Sequence, residues 1–74
     1  MMDKATKRSY VTVNVARGLN LRAAPEKGDN VIRVLEDGKR LTVRDGVPSP
    51  PGWLAVKYGK QSGFVMTKYV RPEE

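Results

Sequence analysis

The sequence predicts an all-β domain, a small barrel of five or six short antiparallel strands, from two observations. Apolar and polar residues alternate in several short stretches, and residues typical of turns separate these stretches. No stretch shows convincing helical periodicity, and we expect at most a single 3-10 turn at Thr67–Tyr69. Short strands joined by frequent turns are typical of small barrels and sandwiches.

The clearest predicted element is a hairpin that begins at Trp53, turns at Gly59 and ends at Met66. A two-residue type II′ turn needs a positive φ, which glycine adopts without steric cost. This turn sets Trp53 opposite Met66, and side chains then alternate between the two faces. The predicted core face carries Leu54, Val56 and Val65. The other face carries Trp53, Phe64 and Met66, so it is too apolar to be exposed only to water.

The rest of the chain supplies the strands that cover this core. In chain order they are Tyr10–Val15, Leu19–Arg22, Val31–Leu35 and Leu41–Arg44, with a last short segment at Val70 and Arg71. Alternation predicts that seven apolar side chains are largely buried: Leu19, Leu21, Val34, Leu41, Val43, Val56 and Val65. We expect residues 1–8 to be a disordered tail, residues 9–71 to be the barrel domain and residues 72–74 to be a second tail.

Length and composition limit the possible functions. A chain of 74 residues forms one small domain with a modest core. It has no histidine and no cysteine, so the commonest general base and transition-metal ligands are missing, and we expect no metal and no cofactor. The serines have no evident base and the aspartates occupy turns, so an enzyme is not favoured. The net charge is +6, which suits an anionic partner or simply keeps a small domain soluble.

Four motifs, in order, resemble those of bacterial Src-homology-3 (SH3b) domains. They are Leu-Asn-Leu-Arg-Ala-Ala-Pro at 19–25, the two strands within 31–43, Gly-Trp-Leu-Ala-Val at 52–56, and Gly-Phe-Val at 63–65 with Tyr-Val at 69–70. The resemblance covers roughly residues 10–71 and implies an SH3-like barrel. Two departures reduce the aromatic surface: Phe64 replaces the family's usual second Trp, and Leu54 replaces a common Tyr.

The resemblance also implies a role. Family members are often appended to wall hydrolases and surface proteins, where they are thought to hold the enzyme on wall peptides. We therefore expect a non-catalytic, monomeric binding module for a peptidoglycan stem or cross-bridge peptide, within a larger envelope protein. An extracytoplasmic location is implied, although the first residues lack the apolar segment of a signal peptide and no segment is apolar enough to span a membrane.

The predicted ligand-binding residues are Trp53, Met66, Tyr69, Phe64 and, more weakly, Tyr10. Trp53 is the only tryptophan, an apolar platform with an N–H donor that suits a peptide groove. The end of the hairpin also resembles eukaryotic SH3 domains, in which the positions of Met66 and Tyr69 flank a tryptophan. The loops Ala23–Asn30 and Val47–Gly52 are the predicted walls. Equally, Trp53 can be a packing residue beneath the prolines at 50 and 51.

Two alternative functions remain open from the sequence. One is weak nucleic-acid binding through a basic face formed by Arg22, Arg33, Arg40 and Arg44. RNA-binding sheets usually interleave aromatic residues with such cations, and the strands that carry these arginines contain none. The other is a structural spacer in a longer envelope protein, with no ligand of its own.

Overall fold

This computed structural model describes residues 9–73. They contain seven short strands and a one-turn 3-10 helix, joined by loops and turns. The strands are β1 Tyr10–Val13, β2 Leu19–Arg22, β3 Val31–Leu35, β4 Arg40–Val43, β5 Trp53–Tyr58, β6 Gln61–Met66 and β7 Val70–Glu73, and the 3-10 helix is Thr67–Tyr69. The predicted all-β class and the predicted 3-10 turn are confirmed. The predicted N-terminal tail lies outside the described residues.

The strands form one antiparallel sheet in the order β3-β2-β6-β5-β4-β1-β7. Every strand contributes at least one side chain to a single apolar core or to its margin. A seven-stranded sheet can do this only by curling around that core, which produces a small open barrel with β3 and β7 as its edges. No helix in the described part of the chain is long and apolar enough to cross a membrane.

The β5–β6 hairpin has the predicted register. Trp53 lies opposite Met66, Leu54 opposite Val65, Ala55 opposite Phe64 and Val56 opposite Gly63. Gly59 has a φ of +62°, the left-handed conformation that the turn requires. Val56 and Val65 are fully buried and Leu54 packs against the core, so the predicted core face is also confirmed.

The buried core agrees with the prediction at five of its seven positions, and Val43 is half-buried at its margin. The prediction for Val34 is wrong, since that side chain is 55% exposed. Leu35 takes the inward position instead, because it lies opposite the buried Leu19 and therefore shares its face. The run Val31–Leu35 lacks apolar–polar alternation, so its sequence does not show which residues point inward.

Two strand limits also differ from the prediction. The predicted tail at 72–74 is wrong for Pro72 and Glu73, because β7 continues through them and pairs them with Val11 and Tyr10. A proline is tolerated there because β7 is an edge strand, and an edge strand need not donate a hydrogen bond from every residue. β1 ends at Val13 rather than Val15, and the backbone N–H of Val15 donates to the Asp37 carboxylate instead of to a neighbouring strand (3.0 Å).

Candidate ligand groove

A groove of about 290 Å³ lies where the connection between β1 and β2 meets the end of β6 and the 3-10 helix. Residues from β2 and from the loop that follows it complete its lining. The lining residues are Val15, Arg17, Gly18, Leu19, Asn20, Arg22, Lys27, Met66 and Tyr69. It is therefore built from segments that are far apart in the sequence.

The apolar part of the groove is continuous with the barrel core. Leu19 is a core residue, only 5% exposed, and the half-buried Val15 and Tyr69 pack against the same core. A backbone hydrogen bond from Asn14 N–H to the Tyr69 carbonyl (2.8 Å) ties the 3-10 helix to the β1–β2 connection. These contacts hold the apolar lining in place before any ligand arrives, which lowers the entropic cost of binding.

Gly18 shapes the β1–β2 side of the groove. Its φ is +95°, and its N–H donates to the Val15 carbonyl (3.0 Å) to close a tight turn. A Cβ at this position would lie 2.8 Å from Val34 Cγ1 and 3.2 Å from the Leu35 carbonyl oxygen. The backbone conformation therefore favours glycine, and any larger residue would also require Val34 to shift.

The polar part of the groove is basic. Arg17, Arg22 and Lys27 line it, and none of the lining residues is acidic. Arg22 Nη1 donates to the Gly28 carbonyl (2.9 Å) and to Asn30 Oδ1 (3.1 Å). The Asn30 amide in turn donates to the Glu26 carbonyl (3.1 Å), so the loop after β2 braces the guanidinium.

Two of the predicted ligand-binding residues, Met66 and Tyr69, lie together in this groove. Trp53 and Phe64 do not line it. Trp53 lies opposite Met66, and Phe64 lies opposite Arg22 on β2, so both belong to strand positions directly beside groove residues. The apolar face of the hairpin therefore adjoins the groove.

The two predicted walls have different roles. Loop Ala23–Asn30 supplies Lys27 to the lining and braces Arg22. Loop Val47–Gly52 contributes nothing to the lining and holds Trp53: the Trp53 N–H donates to the Pro50 carbonyl (3.1 Å), and the Ser49 hydroxyl donates to the Trp53 carbonyl (3.1 Å). The sequence did not predict the β1–β2 connection as a wall, because Ala16-Arg17-Gly18 indicates only a strand break and does not show that it shares a groove with Tyr69.

Tyr10 lies away from the groove. It belongs to β1 and pairs with Thr42 on β4 and Glu73 on β7, whereas the groove is formed beside β2 and β6. The Arg40 guanidinium carbon lies 4.7 Å from the centroid of the Tyr10 ring, a cation–π arrangement. The exposed arginine thus covers the face of this ring.

The arginines of the predicted basic face are mostly engaged by the protein itself. Arg40 forms an ion pair with Glu73 (Nε–Oε1 3.0 Å). Arg33 lies over the Tyr58 ring at 5.1 Å and donates to Gln61 Oε1 (3.1 Å). Aromatic residues do accompany Arg33 and Arg40, but they lie on other strands, β5 and β1, which the strand-by-strand sequence pattern did not indicate.

Potential metal ligands are scattered over the surface. Within residues 9–73 no three Asp or Glu side chains lie close enough together to hold an ion. The groove offers a half-buried thioether, a phenol, an amide and three cations, which can contact apolar groups, form hydrogen bonds and attract anions.

Comparisons with known proteins agree with this architecture. The family model described as "Bacterial SH3 domain" matches residues 17–71, from the groove-lining Arg17 into β7. No curated protein and no solved structure matches the chain. Domains of the matched family are typically non-catalytic binding modules for peptides or wall components. Since the match spans well over half of the sequence, the chain belongs to the bacterial SH3 domain family.

Proposed function

We propose that this domain is a non-catalytic module that binds a short peptide in the groove between the β1–β2 connection and the 3-10 helix. The favoured ligand is a bacterial cell-wall peptide, a peptidoglycan stem or cross-bridge. In that role the domain acts as a monomer and targets a larger envelope or wall-hydrolase protein to its substrate.

The observation that carries this proposal is the preformed groove with an apolar lining and a polar rim. Leu19, Met66 and Tyr69 provide apolar surface, while Asn20 and the Tyr69 hydroxyl provide hydrogen-bonding groups for a peptide backbone. A volume of about 290 Å³ accommodates one or two residues of a ligand rather than a long segment. We therefore expect weak binding, with a Kd of roughly millimolar to tens of micromolar.

Trp53 and Phe64 extend the proposed site along the hairpin. Trp53 lies opposite Met66 on the neighbouring strand, so a peptide residue that extends past Met66 would reach Trp53. The indole there offers apolar surface and an N–H donor to the ligand. Tyr10 has no part in this proposal, because it lies beside β4 and β7.

The test is an NMR titration with wall-type peptides or muropeptides, following backbone and indole N–H shifts. We expect saturable shifts at Met66, Tyr69, Trp53 and Arg17–Asn20, and few elsewhere. Tyr69→Ala should abolish the shifts. Tyr58→Ala is the matched control, because Tyr58 also packs half-buried against the core but lies outside the groove.

The Trp53→Ala variant distinguishes the hypothesis of a binding module from that of a structural spacer. We expect this variant to stay folded, because the core side of β5 keeps Leu54 and Val56, and to bind peptide less tightly than the parent. A spacer would behave differently: no peptide would shift the groove residues in the parent domain, and Trp53→Ala would unfold it.

A further inference from the structure

We propose that the groove selects ligands that carry a carboxylate, either an acidic side chain or a free peptide C-terminus. This inference rests on the proposed function and names the class of ligand that the groove prefers. It follows from three features of the groove: its uncompensated charge, the placement of one arginine and the apolar surface beside it.

The first feature is charge. Three cations surround one small groove, and within residues 9–73 none of Arg17, Arg22 and Lys27 is in an ion pair. The ion pairs found in that range use Glu36 and Glu73, which lie elsewhere. Like charges gathered around a cleft focus a positive potential into it and attract an anion. A ligand carboxylate would relieve the mutual repulsion of these cations.

The second feature is the placement of Arg22. Its Nη1 is fixed by the Gly28 carbonyl and by Asn30 Oδ1, while Nε and Nη2 have no hydrogen-bond partner within residues 9–73. Its backbone is also fixed, because β2 packs so closely on β6 that a Cβ on Gly63 would lie 2.6 Å from the Arg22 carbonyl oxygen. A guanidinium held in this way keeps N–H groups for a planar anion, and carboxylates are its best match.

The third feature is the neighbouring apolar surface. Met66 and Tyr69 share the groove with the cations, so a bound carboxylate would lie beside apolar side chains rather than in open water. The combination favours a peptide with an apolar residue next to an acidic group. It disfavours an extended polyanion, which needs a row of cations along a surface, whereas these three cations lie around one small groove.

The test compares three N-acetylated peptides: Leu-Ala-Ala with a free C-terminus, the same peptide with a C-terminal amide, and Leu-Glu-Ala amide. Kd values are measured by NMR titration at low and high salt. We expect one or both carboxylate peptides to bind at least five-fold more tightly than the neutral amide at low salt, and the difference to shrink as salt screens the charges. The arm that binds best identifies the source of the carboxylate.

Variants assign the preference to the groove. Arg22→Gln should remove the preference while the neutral amide still binds. Arg17→Gln is the second variant, and it removes a groove cation on which the fold does not depend. Arg17 is exposed in a turn and makes no side-chain hydrogen bond within residues 9–73. Arg44→Gln is the control, since it removes the same charge from an exposed residue outside the groove.

The outcomes separate the inference from the proposed function. Equal affinity for the neutral and carboxylate peptides overturns the inference and leaves peptide binding standing. An equal loss of preference in Arg17→Gln, Arg22→Gln and Arg44→Gln also overturns it, because the attraction would then belong to the whole protein. Failure of all three peptides and of muropeptides to bind overturns the proposed function and the inference together.

Discussion

Gly63 shows how one missing side chain positions the groove. It is buried in β6, which pairs with β2 in the sheet, and a Cβ there would lie 2.6 Å from the Arg22 carbonyl oxygen and 2.9 Å from Leu21 Cδ1. The nearer atom belongs to the backbone, so the clash cannot be relieved by rotating a side chain. The strand that carries Arg22 can approach β6 only because this position is glycine.

Gly63→Ala should therefore lower the free energy of unfolding by about 1–3 kcal/mol, the usual range for overpacking a close-packed site. Urea denaturation measures the change. Ser62→Ala is the neighbouring control on the same strand, and since Ser62 is exposed we expect a change within about 0.5 kcal/mol. A Gly63→Ala domain as stable as the parent would contradict the close approach of β2 and β6.

Among the strands, the alternation of apolar and polar residues determined which inward faces and registers could be predicted from the sequence. The β5–β6 register followed from one glycine turn and two alternating strands, so Met66 could be placed beside Trp53 from the sequence alone. β3 gave no such signal, because all of its residues except Arg33 are apolar. There, the pairing with β2 decides which residues point inward, and pairing is a tertiary property.

A valine-to-alanine substitution on each face of the strands compares how much the buried and the exposed side chains contribute to stability. Val56 is fully buried in β5, whereas Val34 in β3 is 55% exposed. Val56→Ala should cost about 1–3 kcal/mol of unfolding free energy through lost burial and a residual cavity. Val34→Ala should change it by no more than about 0.5 kcal/mol. Equal losses at the two positions would contradict the assignment of Leu35, rather than Val34, to the core.

The groove could be predicted only in part for a related reason. Met66 and Tyr69 are close in sequence to the hairpin, and the resemblance to SH3 domains pointed to them. Arg17 and Gly18 are about fifty residues away from Tyr69 along the chain, and only the folded barrel brings them to the same groove. No local pattern in Ala16-Arg17-Gly18 indicates that these residues lie near Tyr69. The basic rim of the groove is therefore visible only in the structure.

The net charge of +6 predicts some attraction of the protein to nucleic acid. We expect only weak, non-specific binding, because Arg33 and Arg40 already contact tyrosines and other polar partners of the domain. Filter binding of a random single strand at two salt concentrations tests this, since affinity should fall steeply as salt rises. A micromolar complex that survives physiological salt, and that Arg40→Ala or Arg44→Ala weakens, would instead favour the nucleic-acid function.

The position of β1 between β4 and β7 has a consequence for biosynthesis. β1 is the first strand, yet its partners are the fourth and the last, so Tyr10 pairs with Thr42 on one side and with Glu73 on the other. During translation β1 emerges from the ribosome long before β7 exists. Contacts between such distant residues also slow folding, because a long loop must close before they form. The nascent chain therefore completes its barrel only after β7 has left the exit tunnel; until then β1 can pair with β4, but its other edge has no partner strand.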